Sequence, residues 1–322
     1  QLFAQEEAAL FLEMSPLLET SEAVAQRLDR DLDEVAATLE QMALKGLLFR
    51  RRTDTAVSYA AVPYVVGLFE FQVGRMGKEF AKVHEAYFES TYNKVMQSFK
   101  TPVLRTIPIQ RTLVADSPVA PYEDVLAIID AQERIAVAPC VCRTTKDLVG
   151  ETCDRSIENC FSFGSHADYY VENGLGRFIT KDEARKIIDR NQEEGLVMQP
   201  FNSQKIGGMC SCCGDCCGVL RSLKAQPRPA EAVQSNYFAV IDDENCTGCE
   251  TCVDRCQMDA VDMNDDGLAA VNLDRCIGCG LCVTTCPDEA IELVQKAEDQ
   301  LYVPPKSGME TYIRIMQERG KI

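Results

Sequence analysis

Tryptophan is absent from the 322 residues, and histidine occurs only at His84 and His166. With so little imidazole, and neither residue in an obvious motif, a His-based catalytic mechanism has little to build on. No apolar run approaches the ~18 residues of a membrane span, so none is expected. Basic side chains are in deficit: 33 Lys and Arg face 50 Asp and Glu, for a formal net charge of −17. A chain this acidic is a poor general ligand for nucleic acid. The opening QLFAQEEAALF lacks the basic region of a signal peptide, although it does not start with Met, and the expected compartment is the cytoplasm. The 46% hydrophobic content suffices for packed cores, and at ~150 residues per domain the length suggests two or three domains.

What the chain has in excess is cysteine, 17 residues lying between Cys140 and Cys286. Disulfide scaffolds are short, secreted and usually even in cysteine count; this chain is long, odd-numbered, and spaced too tightly for useful bridging. Thiolate ligation of metal in a reducing compartment fits better.

The C-terminal part carries Cys246-x2-Cys249-x2-Cys252-x3-Cys256 and, further on, Cys276-x2-Cys279-x2-Cys282-x3-Cys286-Pro287. Three thiolates at steps of three wrap a tight loop around one corner of a cubane, and the fourth ligates the neighbouring cluster. Cluster one is therefore expected on Cys246, Cys249, Cys252 and Cys286, and cluster two on Cys276, Cys279, Cys282 and Cys256. Zinc sites use two C-x2-C pairs instead, so two [4Fe–4S] clusters are the reading here. FAVID, AVDM, LAAVNL and AIELVQ supply the short strands, and Gly248, Gly278 and Gly280 let amides approach the sulfurs. One departure is Gln257, where proline is expected after Cys256.

Nine cysteines remain: Cys140, Cys142, Cys153 and Cys160, then Cys210, Cys212, Cys213, Cys216 and Cys217 in CSCCGDCC. Adjacent cysteines point in different directions, so each CC pair suits two ligand sets. One or two further iron–sulfur clusters are expected, with zinc as an alternative in this region and individual assignments open. Arg143 stands where it can offset thiolate charge, or form a surface salt bridge. His166, in FGSHADYY, is read as a structural hydrogen-bonding residue.

The fold class expected is α+β multidomain. Residues 1–66 give helices near Glu6–Glu13, after Thr20 or Ser21, and from Asp31 with Glu34 in a capping box, ended by Gly46. Strands LLFRRR and AVSYAAV flank a Thr53-Asp54-Thr55 wing. This resembles the winged helix-turn-helix domains of bacterial regulators. Over residues 1–75, however, seven Lys or Arg face twelve Asp or Glu, and acids line the would-be recognition helix, so docking to protein is favoured over DNA. Residues 67–100 read as one bridging amphipathic helix stopped by Pro102. Residues 101–235 read as a cysteine-rich mixed α/β domain: strands PVLRTIPI and RIAVAP, helices Tyr122–Gln132 and Lys181–Glu194, and a linker KAQPRPAEAV. Residues 236–296 form the dicluster domain and 297–322 a tail with a short helix.

Taken together, the APCVCR and CCGDCC motifs between a winged-helix-like region and two ferredoxin runs resemble a group of multi-cluster ferredoxin-like proteins of anaerobic bacteria and archaea. The resemblance implies an electron-transfer component beside a redox enzyme, with a flavin- or molybdenum/tungsten-containing oxidoreductase as the partner class. The expected relay runs through cluster two, cluster one and the middle site. A redox-sensing winged-helix regulator and an oxidoreductase with its catalytic site at the middle cysteines are the alternatives. Self-assembly or assembly with other subunits is left open.

Overall fold

The computed structural model describes residues 2–98, 100–109 and 119–320. Its first elements follow local capping chemistry. After α1 (Gln5–Glu13), α2 (Ser21–Leu28) begins where the Thr20 hydroxyl accepts from the Ala23 amide at 3.3 Å. Helix α3 (Leu32–Leu44) starts where Asp31 accepts from the Glu34 amide at 3.0 Å. Strands β1 (Glu19–Thr20), β2 (Phe49–Arg52) and β3 (Val57–Ala60) form one antiparallel sheet in the order β1-β3-β2. Val24, Val35, Leu39, Met42 and Leu48 are fully buried between helices and sheet.

The stretch expected to be one helix from residue 67 is broken. A wide turn closes with Phe69 donating to the Tyr64 carbonyl at 2.8 Å, and a 3-10 turn follows at Glu70–Gln72. Helix begins only at α4 (Lys78–Tyr87), and a second wide turn separates it from α5 (Asn93–Gln97). The reason is local. Gly74 adopts φ +79°, and the apolar stripe is used as a loop, with Phe69 and Phe71 buried against Tyr169, Tyr170 and neighbours.

The middle region is a five-stranded, fully antiparallel sheet. After α6 (Val125–Asp130), which Asp124 caps, come β4 (Ile135–Pro139), α7 (Val141–Val149), β5 (Glu158–Phe163), α8 (Ser165–Glu172), β6 (Arg177–Ile179), α9 (Lys181–Glu193), β7 (Val197–Pro200) and β8 (Gly208–Cys212). The strand order is β6-β4-β5-β8-β7. PVLRTIPI is not a strand; it is bridged to the end of the sheet at Leu104↔Phe201 and Ile107↔Met198, with Ile107 and Ile109 in the core. The expected linker is folded in: α10 (Gly218–Lys224) and α11 (Pro229–Ala232) occupy it, and Val233 is buried.

The C-terminal cysteine runs lie on two antiparallel pairs. Strand β9 (Tyr237–Ile241) pairs with the last strand, Ile291–Gln295. Between them come α12 (Thr251–Arg255) and the pair β10 (Val261–Met263) with β11 (Ala269–Val271); the last strand is β12. Helix α13 (Gly308–Glu318), capped by Ser307, packs back on the middle region, where Thr311 donates to the Asn202 carbonyl at 2.5 Å. No helix among the described residues is long and apolar enough to cross a membrane.

Candidate metal centre

The two ferredoxin runs are thirty residues apart, and the backbone repeats with that period. Gly248 and Gly278 have φ of +69° and +65°, and Glu250 and Gly280 have +62° and +76°. A Cβ on Gly278 would lie 2.1 Å from the Tyr237 carbonyl oxygen, so only glycine lets the loop close. The fourth thiols are matched too: Cys256 Sγ accepts from the Ala260 amide at 3.2 Å and Cys286 Sγ from the Ala290 amide at 3.3 Å. Such N–H···S contacts stabilise thiolate charge and tune cluster potential.

Cys256 lies within electrostatic reach of Cys276, Cys279 and Cys282, although it belongs to the other run. Burial, joined by these neighbours, pushes the Cys282 thiol up to about 12 and Cys279 well above the ordinary range. Cys252 lies within electrostatic reach of Cys246 and Cys249, and Cys249 is exposed. The two sets differ in location. The chain around Cys279 joins the main core, where Ile277 and Leu281 are buried and Ile109 donates to the Cys279 carbonyl at 3.0 Å. The Cys249 end faces solvent.

The nine middle thiols converge from four places. Cys140 joins β4 to α7 and Cys142 lies in α7's first turn; Cys160 is on β5; and β8 delivers Cys210 and Cys212 into the CCGDCC loop. Cys153 enters from the loop after α7. Two groups result. In one, thiol–thiol contacts run Cys140–Cys142–Cys217–Cys212–Cys210–Cys160. In the other, the sulfurs of Cys153, Cys213 and Cys216 all lie within 4.8 Å of one another, Cys153 and Cys213 at 4.0 Å. Each CC pair is thus divided between groups: Cys212 and Cys217 in the first, Cys213 and Cys216 in the second. Cys142 also packs against the second group.

The charge pattern suits thiolates. Hydrogen bonds from Cys142 and Cys212 hold Cys217 well below the usual thiol range, and those from Cys160 and Cys212 do the same for Cys210. Arg143 is 3% exposed, so the surface salt bridge is not its role. It donates to the carbonyls of Ser156 at 2.9 Å and Ser211 at 3.1 Å, and its Nε is buried with no hydrogen-bond partner. Its pKa is raised because Cys140, Cys213 and Cys212 outweigh the cost of burial. An orphan buried N–H among nine thiols of both groups fits anionic sulfur-rich centres.

Sequence reading missed what joins the two regions. Gln257 is 7% exposed, and its Oε1 accepts from the Gly214 amide at 2.7 Å, inside CCGDCC. Gly214 has to be glycine: a Cβ there would meet the Gln257 carbonyl at 2.5 Å. The departure from proline after Cys256 was the available signal. His166 does not have the hydrogen-bonding role expected of it; it stacks on Phe49 at 4.8 Å and meets Phe201 edge-on. Burial depresses its pKa to about 4.

Around these thiols lies a cavity of about 1550 Å³, lined also by Glu70, His84, Tyr92, Tyr170, Phe201 and Tyr312.

Neither curated proteins nor solved structures give a significant match to this chain. Residues 239–295 match the family model of the 4Fe-4S dicluster domain, and this part of the chain is a ferredoxin-like iron–sulfur unit.

Proposed function

We propose that the protein is an iron–sulfur electron-transfer protein in which a ferredoxin-type dicluster unit exchanges electrons with further centres in the middle region. Cys246, Cys249, Cys252 and Cys286 hold cluster one; Cys276, Cys279, Cys282 and Cys256 hold cluster two. The observation that carries the reading is the Gln257–Gly214 hydrogen bond, which sets the loop after Cys256 directly against CCGDCC. Exposed Cys249 makes cluster one the entry or exit at the surface, so the relay runs from cluster one through cluster two to the middle site, an order different from the one expected from sequence.

The first 66 residues act as a winged-helix docking module. Two of the three arginines at the wing are engaged within the chain, which argues against operator binding: Arg50 pairs with Glu40 and Glu172, both at 2.6 Å, and Arg52 pairs with the same two acids, while Arg51 is exposed. The acidic surface suits a basic redox partner of the flavin or molybdenum/tungsten class in a reducing cytoplasm.

Iron, sulfide and zinc counting on anaerobically purified protein tests this. Two clusters in the dicluster unit and two in the middle give about sixteen irons per chain; about eight or fewer with no zinc would leave the middle thiols without metal and exclude the proposal. A second reading has one observation of its own. At Zn–S distances of ~2.3 Å, tetrahedral thiolates sit about 3.8 Å apart, close to the Cys153–Cys213 separation. It expects about twelve irons with one zinc, and zinc lost in Cys216→Ala.

A further inference from the structure

Glu70 is a carboxyl placed where nothing in the relay needs one. It lines the cavity beside the first thiol group, within electrostatic reach of Cys210, Cys160 and the hydroxyls of Tyr92, Tyr170 and Tyr312. Among the described residues no cation pairs with it; its Oε2 accepts from the Gly67 amide at 2.8 Å. Burial raises its pKa to about 7, so the acid form is available near neutrality. The loop that holds it is strained. Val66 adopts φ +58°, ψ +56°, a conformation a β-branched residue rarely takes, and Tyr312 reaches over to the Val66 carbonyl at 3.5 Å. Strain of this kind collects at functional sites.

The cavity exceeds the roughly 300–1,000 Å³ of ordinary small-molecule pockets, leaving room for an organic ligand beside a metal centre. Its walls are apolar and aromatic, with Phe69, Phe88 and Phe201 among them, and Leu12 at its edge is 82% exposed. The cations on its wall are already engaged: Arg134 by Asp168, Arg221 by Glu85 and Glu89, and Arg143 by the thiol groups it faces at Cys140, Cys212 and Cys213. Arg51, Lys205 and Arg319 are exposed. An anionic or phosphate-bearing ligand would find no free buried charge here, whereas a neutral one with a carbonyl oxygen finds an acid to receive it.

We infer that this cavity binds a neutral, apolar quinone-type carbonyl compound, with the Glu70 carboxyl donating to its oxygen. The inference rests on the electron-transfer reading for its reductant, the reduced iron–sulfur clusters. One quinone takes up two electrons, supplied singly, and two protons. Both C=O groups become C–OH: one new O–H bond forms as the carboxyl O–H of Glu70 breaks, the other as an O–H of solvent breaks, and solvent then reprotonates Glu70.

The test uses anaerobic, iron-loaded full-length protein and menadione as the probe. Equilibrium dialysis of menadione against the oxidised protein should show saturable binding, displaced by redox-inert 2-methylnaphthalene. After dithionite reduction, cluster reoxidation by menadione, followed by absorbance, should saturate and be inhibited by the same naphthalene. Glu70→Gln should keep iron content and menadione binding but slow this reoxidation by at least about tenfold, the low end for loss of a general acid. Reoxidation by hexaammineruthenium(III), which takes one electron and no proton, should be unchanged. Non-saturable binding, or menadione reoxidation insensitive to the naphthalene, overturns the inference in wild-type protein alone, whatever the stability of the variant. Equal slowing of both oxidants by Glu70→Gln also overturns it. Failure of both oxidants on wild-type protein would instead sink the electron-transfer reading.

Discussion

Gln257 shows how one side chain couples two metal-binding regions. Its amide oxygen satisfies a backbone N–H in a loop whose side chains are occupied with sulfur chemistry. Gln257→Ala leaves the Gly214 amide buried without an acceptor, at a cost of about 1–3 kcal/mol. The expected result is a lower anaerobic melting midpoint with unchanged iron content. His166 offers a second check. Its folded pKa, near 4 against an ordinary 6.5, means that the unfolded chain takes up a proton first as pH falls. The neutral ring therefore contributes stability above pH 6.5, and this is lost as pH drops toward 4, by about 2 kcal/mol at pH 5. His166→Phe should show a smaller fall in melting midpoint between pH 7 and pH 5 than the wild type. The ferredoxin ligand spacing and the CC division were legible in sequence because both follow from chain geometry over a few residues. The Gln257 contact was not, because its partner lies 43 positions away.

At the scale of elements, helices with side-chain caps were readable: Asp31 and Thr180 each accept from the amide three residues on. The bridging stretch was not, since periodic aromatic residues pack equally well from a loop when glycines interrupt the helix. Strands β5, β7 and β8 were also hidden. Their alternation is blurred because both sheet faces are covered, and Val197–Pro200 is buried throughout. The join between the N-terminal sheet and α8 is set by ion pairs that sequence does not announce. Arg50, with its side chain 2% exposed, bridges Glu40 of α3 and Glu172 of α8, while Tyr169 donates to the carbonyls of Ala43 and Leu48. Arg50→Met should cost about 1–2 kcal/mol, because it removes charge-assisted hydrogen bonds while Glu40 and Glu172, 31% and 36% exposed, keep Arg52 as a partner. Limited proteolysis should then release the N-terminal unit sooner, with cluster spectra unchanged.

For the whole molecule, the net charge of −17 is a long-range property that no single residue carries. Electron exchange with a cationic partner or with hexaammineruthenium(III) should slow as salt rises, since the Debye length shrinks from about 30 Å at 0.01 M to about 10 Å at 0.1 M. Stopped-flow rates across that range check this; a flat profile would remove charge steering from the account.

The split CC pairs bear on how the protein is made. Cys212 and Cys213 share one peptide unit, as do Cys216 and Cys217, yet each member of a pair faces a different thiol group. On the proposed ligation, filling either centre freezes the loop torsions that present ligands to the other. Maturation is then close to all-or-none: a partly filled chain is the least populated species, and oxidative loss of one centre weakens the hold on its neighbour.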